Sequence, residues 1–176
     1  MQMKYSVAKS VEVLERTPAV LQSLLGGLSD DWVMHNEGPE TFSPYDVLGH
    51  LIHGEKTDWV VRAKMILEFG SSKTFERYDR FAQYEESKGK TLQQLLHEFE
   101  TIRKENIVWF TSLGLTTADL DKKGMHPVLG EVTLRNLLAT WVAHDLTHLA
   151  QVTRVMAKQY KDEMGPWPEF FRILHF

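Results

Sequence analysis

The sequence predicts an all-α fold, a four-helix bundle with a long connection between its second and third helices. Apolar residues recur three and four apart over four long stretches, and alternating runs rich in Val, Ile and Thr are few. Each stretch is bounded by capping or breaking residues. The chain has 176 residues, which suits one domain spanning residues 1–176 and is short for two, so the helices are expected to share one domain.

The first helix is expected from about Val7 to Leu25. Thr17-Pro18 interrupts it, because Thr17 can cap and Pro18 fits a first turn, and Gly26-Gly27 ends it. A connector from Ser29 to Phe42 follows. Ser43-Pro44-Tyr45-Asp46 is a strong start for the second helix: Ser43 is a good N-cap, Pro44 fits the first turn, and Asp46 suits the positive helix end. That helix should run to about Phe69, where Gly70-Ser71-Ser72 ends it. Lys73 to Lys90 is polar and charged and is expected to be a long connection, of a length that allows a crossover. Thr91 caps the third helix, which should reach about Leu113 before Gly114 stops it. Thr116 to Gly130 reads as an ordered loop with a short turn. Thr133 then caps the fourth helix, to about Tyr160. Gly165-Pro166 ends that region and leaves a short aromatic tail, Trp167 to Phe176.

Composition narrows the function classes. Lys and Arg number 20 against 24 Asp and Glu, a formal net charge of −4, so there is no electrostatic case for nucleic acid or an anionic membrane surface. The first twenty residues contain Glu12, Glu15 and Arg16 without an unbroken apolar core, and no apolar run approaches the roughly 18 residues of a membrane span. A cytoplasmic protein is expected. Cysteine is absent, which excludes disulfides, iron–sulfur clusters and a thiol nucleophile on the chain itself. Any metal must be held by nitrogen and oxygen.

The fourth helix carries the most informative pattern. Leu134, Leu137, Leu138, Trp141, His144, Asp145, His148, Val152, Val155 and Met156 fall on one stripe roughly 120° wide. His148 sits near its centre and His144 at one flank. The i, i+4 spacing puts both imidazoles on one face, as two helical ligands of one metal ion require. A single core histidine is more often a hydrogen-bonded packing residue, but two on one apolar stripe are harder to satisfy, since each ring has two nitrogens needing partners. On the pair alone, both readings stand open.

A third ligand must come from another helix. The second helix has its apolar stripe centred near Leu51. His50 lies about 100° from that centre and can reach the core flank, while His53 lies about 160° away and is expected to face solvent. His126, in the loop before the fourth helix, is a candidate to overhang a pocket, and Trp141 is a candidate pocket residue. His35, His97 and His175 carry no partner pattern and are expected to be solvated. No Glu is followed three residues later by His, so the Glu-x-x-His pair of di-iron bundles is missing. The zinc-protease spacing, the glycine-rich phosphate loop and G-x-S-x-G are missing as well.

The run Ser43-Pro44-x-x-Val47-Leu48-Gly49-His50-Leu51-Ile52, with Trp32 before it and Glu55 after, resembles the second-helix motif of the DinB/YfiT-like superfamily. Gly130-Glu131-Val132-Thr133-Leu134, continuing through Leu137-Leu138 and Trp141 to His144-Asp145-Leu146-x-His148-Leu149-Ala150-Gln151, is similar to its fourth-helix motif. The resemblance extends over nearly the whole chain. It implies an up-down-down-up four-helix bundle, commonly dimeric, with a divalent metal, nickel or zinc, on three histidines. Carried over by position, these are His50, His144 and His148. One departure is Phe42, where many relatives carry Trp; it changes a pocket wall and leaves the ligands.

Three functions follow from that resemblance. The first is a metal-dependent enzyme of the thiol S-transferase or hydrolase type acting on a small molecule; relatives use low-molecular-weight thiols such as bacillithiol or mycothiol, and a chain without cysteine suits a thiol brought by the cosubstrate. Asp145, the only carboxylate on the histidine stripe, is then either a group supporting the ligands or a structural hydrogen-bonding partner of a neighbouring helix. The second is a non-catalytic metal-binding or damage-response protein. The third is an interaction scaffold with merely packed histidines. The apolar tail, with Trp167, Phe170, Phe171, Ile173, Leu174 and Phe176, adds to the family habit in favour of a homodimer, the alternative being that it folds back to cap the bundle.

Overall fold

A computed structural model describes residues 3–175. The first rod of the bundle is α1 (Val7–Leu14) and α2 (Thr17–Leu25), separated at Glu15-Arg16, as Thr17-Pro18 foretells. A short α3 (Asp30–Val33) lies in the following connector. The second rod is α4 (Pro44–Thr57) and α5 (Trp59–Phe69). Ser43 caps α4 through a reciprocal pair of bonds with Asp46. This rod is expected to be continuous, yet it breaks at Asp58, whose backbone leaves the helical region at φ −111°, ψ −81°.

The polar connection is more structured than its composition suggests. It contains α6 (Ala82–Ser87), which packs on α4 with Gln83 and Ser87 buried. Gly49 permits that approach, since a Cβ there would sit 2.4 Å from both Gln83 Oε1 and Ser87 Oγ. The third rod is α7 (Leu92–Ser112), capped by Thr91. The segment expected as a loop holds α8 (Thr117–Leu120) and an antiparallel hairpin, β1 (Lys123–His126) with β2 (Gly130–Thr133), which pairs His126 with Gly130. The hairpin refines the loop expectation and leaves the all-α bundle class unchanged. Thr133 ends the hairpin and caps α9 (Leu134–Gln159), the fourth rod. Among the described residues no helix is long and apolar enough to cross a membrane.

Two apolar clusters fill the bundle, and they fix its direction. One gathers Leu14, Trp59, Ile107 and Trp141; the other gathers Leu21, Leu51, Phe99 and Val152. The first and fourth rods pass from the former cluster to the latter, while the second and third run the opposite way. The order is up-down-down-up. Two parallel neighbours, the second and third rods, therefore need the long connection that the sequence supplies.

Between the clusters lies a buried charged belt. Arg103 on α7 is 1% exposed and donates to both Asp145 oxygens, at 2.5 and 3.0 Å, to Glu55 Oε1 at 2.8 Å and to the Leu14 carbonyl at 2.8 Å. Asn106 and the Trp141 indole also donate to Glu55, at 2.8 and 2.9 Å. All four rods are thereby tied at one level. Burial opposes the Arg103 charge, but the two carboxylates outweigh it and raise its pKa.

Candidate metal centre

The histidines lie at the level of this belt, on its cavity side. His50 comes from α4, and His144 and His148 from successive turns of α9. Nε2 of His144 lies 3.1 Å from Nε2 of His50 and 3.1 Å from Nε2 of His148. One ligand atom from each ring falls within 4.8 Å of the others.

Their second nitrogens define the tautomers. His148 Nδ1–H donates to Gln151 Oε1 at 2.8 Å, leaving Nε2 as a lone pair. His50 Nδ1 lies 3.2 Å from the Tyr78 hydroxyl, which itself donates to the His50 carbonyl at 3.4 Å. A consistent assignment has His50 Nδ1–H donating to Tyr78, so His50 Nε2 is also a lone pair. His144 Nδ1 is buried without a hydrogen-bond partner. Burial, reinforced by His148, His53 and Arg80, lowers His50 to about 3; burial, with His148, His50 and Arg103, lowers His144 to about 2. Burial also lowers His148, against the opposing effects of Gln151 and Asp145. The rings are neutral near pH 7, as metal ligands must be.

The donor set fits a divalent ion. The Nε2 lone pairs of His50 and His148 converge on His144 Nε2. Nitrogens 3.1 Å apart are close enough for one ion to be held by both at bonds of about 2.0–2.1 Å. Three imidazole nitrogens suit a divalent transition-metal ion.

A cavity of about 750 Å³ opens over these nitrogens. Its walls include Phe42, Gly54, Trp59 and Tyr78. The Phe42 ring centroid is 5.5 Å from that of His50, so the Phe42 departure does fall on a wall. Trp59 meets His144 edge-on at 5.0 Å. Asp58, exposed to the cavity by the helix break, pairs with Arg62 at 2.9 Å, yet burial outweighs Arg62 and raises it to about 6.

The other expected positions sort clearly. His126 lines the cavity, its Nδ1 accepting from the Val128 and Leu129 amides. Trp141, expected in the pocket, is instead 1% exposed in the core, with its indole on Glu55. Asp145 hydrogen-bonds Arg103 and none of the histidines, which is the structural alternative. His53, expected in solvent, is 5% exposed because α6 covers that face, and its Nδ1 lies 2.8 Å from Glu86. It stays outside the trio. His35, His97 and His175 are exposed. Arg103 and Glu55 went unassigned from sequence, although their signal was present: Arg103 lies four residues from both Phe99 and Ile107, on the buried face of α7.

Helical rods running up-down-down-up around a three-histidine cluster define a bundle of the DinB type. The DinB superfamily model matches residues 13–152, and the chain belongs to that superfamily. Among solved structures it is similar to YfiT from Bacillus subtilis, described as "a probable metal-dependent hydrolase with an unusual four-helix bundle topology". The identity is 20%, the match covers 93% of this chain and 94% of that one, and the TM-score is 0.74. No curated protein matches the chain.

Proposed function

We propose that this protein is a metal-dependent enzyme acting on a small molecule, by thiol S-transfer or hydrolysis, with nickel or zinc on His50, His144 and His148. The observation that carries this reading is the convergence of three neutral imidazoles, two with their Nδ1 protons engaged elsewhere, at the floor of a large cavity. A divalent ion there supplies Lewis acidity, which makes a bound water or thiol more acidic and nucleophilic near neutral pH.

The chain's own residues hold and shield the reaction. Gln151 and Tyr78 orient the outer two imidazoles. Phe42 and Trp59 wall the cavity and restrict water around the ligands. Because the chain has no cysteine, a thiol arrives as cosubstrate. The YfiT likeness supports the hydrolytic branch. Exposed Trp167, Phe170 and Phe171 support a homodimer, checked by mass from light scattering.

The test uses protein purified without a histidine tag. Metal analysis should find about one nickel or zinc per chain after reconstitution. Thiol transfer to electrophiles, and ester or amide hydrolysis, should appear only with metal. Absence of bound metal sinks the reading; bound metal without turnover in either screen leaves a metal-binding protein and removes the enzyme.

A further inference from the structure

The cavity over the histidines has an unbalanced set of charges. Of its four arginines, Arg62 is paired with Asp58, and Arg154 with Glu37. Arg77 and Arg80 have no carboxylate partner among the described residues. Glu40 is the lining carboxylate left outside those pairs. The lining thus holds four arginines against three carboxylates, an excess of one positive charge in a chain whose net charge is −4.

Both unpaired arginines come from the connection that crosses α4, and Arg80 is held in place. Its guanidinium carbon lies 5.5 Å from the Phe42 ring centroid and 4.9 Å from that of Phe81. A guanidinium stacked this way keeps its N–H edge free for a planar or tetrahedral anion. Phe42 is in turn 5.5 Å from His50. Two such steps put the guanidinium within about 11 Å of the histidine ring, the length of a small metabolite. Arg77 directly precedes Tyr78, whose hydroxyl reaches His50 Nδ1 at 3.2 Å. Phe42 thus offers apolar surface between Arg80 and His50, and Trp59 adds apolar wall beside His144.

We propose that the cavity takes a small organic anion, a carboxylate or phosphate monoester, whose acidic group is held by Arg77 and Arg80 while its other end faces the three histidines. This rests on the cavity being a substrate site and deepens that reading by naming the substrate class. Field and geometry act together: surplus positive charge draws the anion in, and the separation of arginines from histidines sets which end reaches the reacting position.

The test is calorimetric titration of full-length protein stripped of metal by chelation, so that no anion is captured by an ion. Phenyl phosphate, phenylacetate and neutral benzyl alcohol are the probes. Either anion, or both, should bind, with the tighter one identifying the acidic group, and benzyl alcohol should bind at least tenfold more weakly. Arg77→Gln/Arg80→Gln should weaken anion binding tenfold or more, and added salt should weaken it in the wild type. Both positions are exposed, so the variant should fold; circular dichroism and an unchanged metal load on reconstitution check this. No measurable binding of either anion, equal binding of the neutral probe, or unchanged affinity in the double variant overturns the proposal. Anion binding in protein that never loads metal would support it while removing the metal centre. Normal metal load without anion selectivity would do the reverse.

Discussion

Replacing Arg103 by methionine removes the only guanidinium from a belt that holds two carboxylates. Glu55 and Asp145 have no exposed side-chain surface, and Arg103 makes four hydrogen bonds to Asp145, Glu55 and Leu14. Methionine fills much of the volume, so the cavity cost is small and the stranded charge dominates. Removing one partner of a buried pair costs about 3–5 kcal/mol. For a chain of this length each kcal/mol moves the melting temperature by about 2–4 °C, which gives a fall of about 6–20 °C. Thermal and urea melts should be run with chelator present throughout, because bound metal adds its own linkage. The charge argument also predicts partial rescue: Arg103→Met/Glu55→Gln/Asp145→Asn should be more stable than Arg103→Met alone, since neutral amides cost less to bury. A loss below about 1 kcal/mol in the single variant, or a triple variant no better than the single, refutes the reasoning.

Two further outcomes follow from the histidines. His148→Ala should abolish tight metal binding while the stripped protein melts within a few degrees of wild type; a loss of about 2–5 kcal/mol with no metal before or after would mark His148 as a packed core residue instead. The stripped protein should also lose stability as pH falls from about 6.5 toward 3. His50 and His144 are lowered to about 3 and 2 by burial, so the unfolded chain binds their protons first, at a cost of about 2 kcal/mol or less per histidine by pH 5. Urea melts at pH 7 and 5 should show this slope reduced in His50→Gln/His144→Gln, and an equal slope in variant and wild type would exclude these two residues as its source.

Much of this was legible because helices announce themselves. Ser43, Thr91 and Thr133 each cap where their spacing says, and His144 and His148 share a face by periodicity alone. A helical wheel assumes that one face meets solvent, and so points His53 outward. Here α6 folds onto α4, and every residue from 47 to 55 is buried. The hairpin leaves little trace in the sequence, because strands of four residues carry too little periodicity to stand out. The break at Asp58 carries no local signal, since neither proline nor glycine stands there. Trp141 shares the histidine stripe, which makes it a pocket candidate, but its indole turns into the core to reach Glu55.

That division of α9 explains why the belt and the metal centre share one level. His144 and Asp145 are consecutive and so point about 100° apart around the helix. Asp145 is clamped by Arg103, and the same helix presents His144 to His50 at 3.1 Å. Any rotation of α9 that moved His144 out of reach would pull Asp145 from a guanidinium that also holds α4 through Glu55. The charged belt thus fixes the angle of one ligand helix against the other. Apolar packing alone is less able to do so, because a layer of leucines tolerates small rotations that directional, charge-assisted hydrogen bonds do not. With two apolar clusters supplying stability above and below, the level between them is free to hold polar groups in fixed positions.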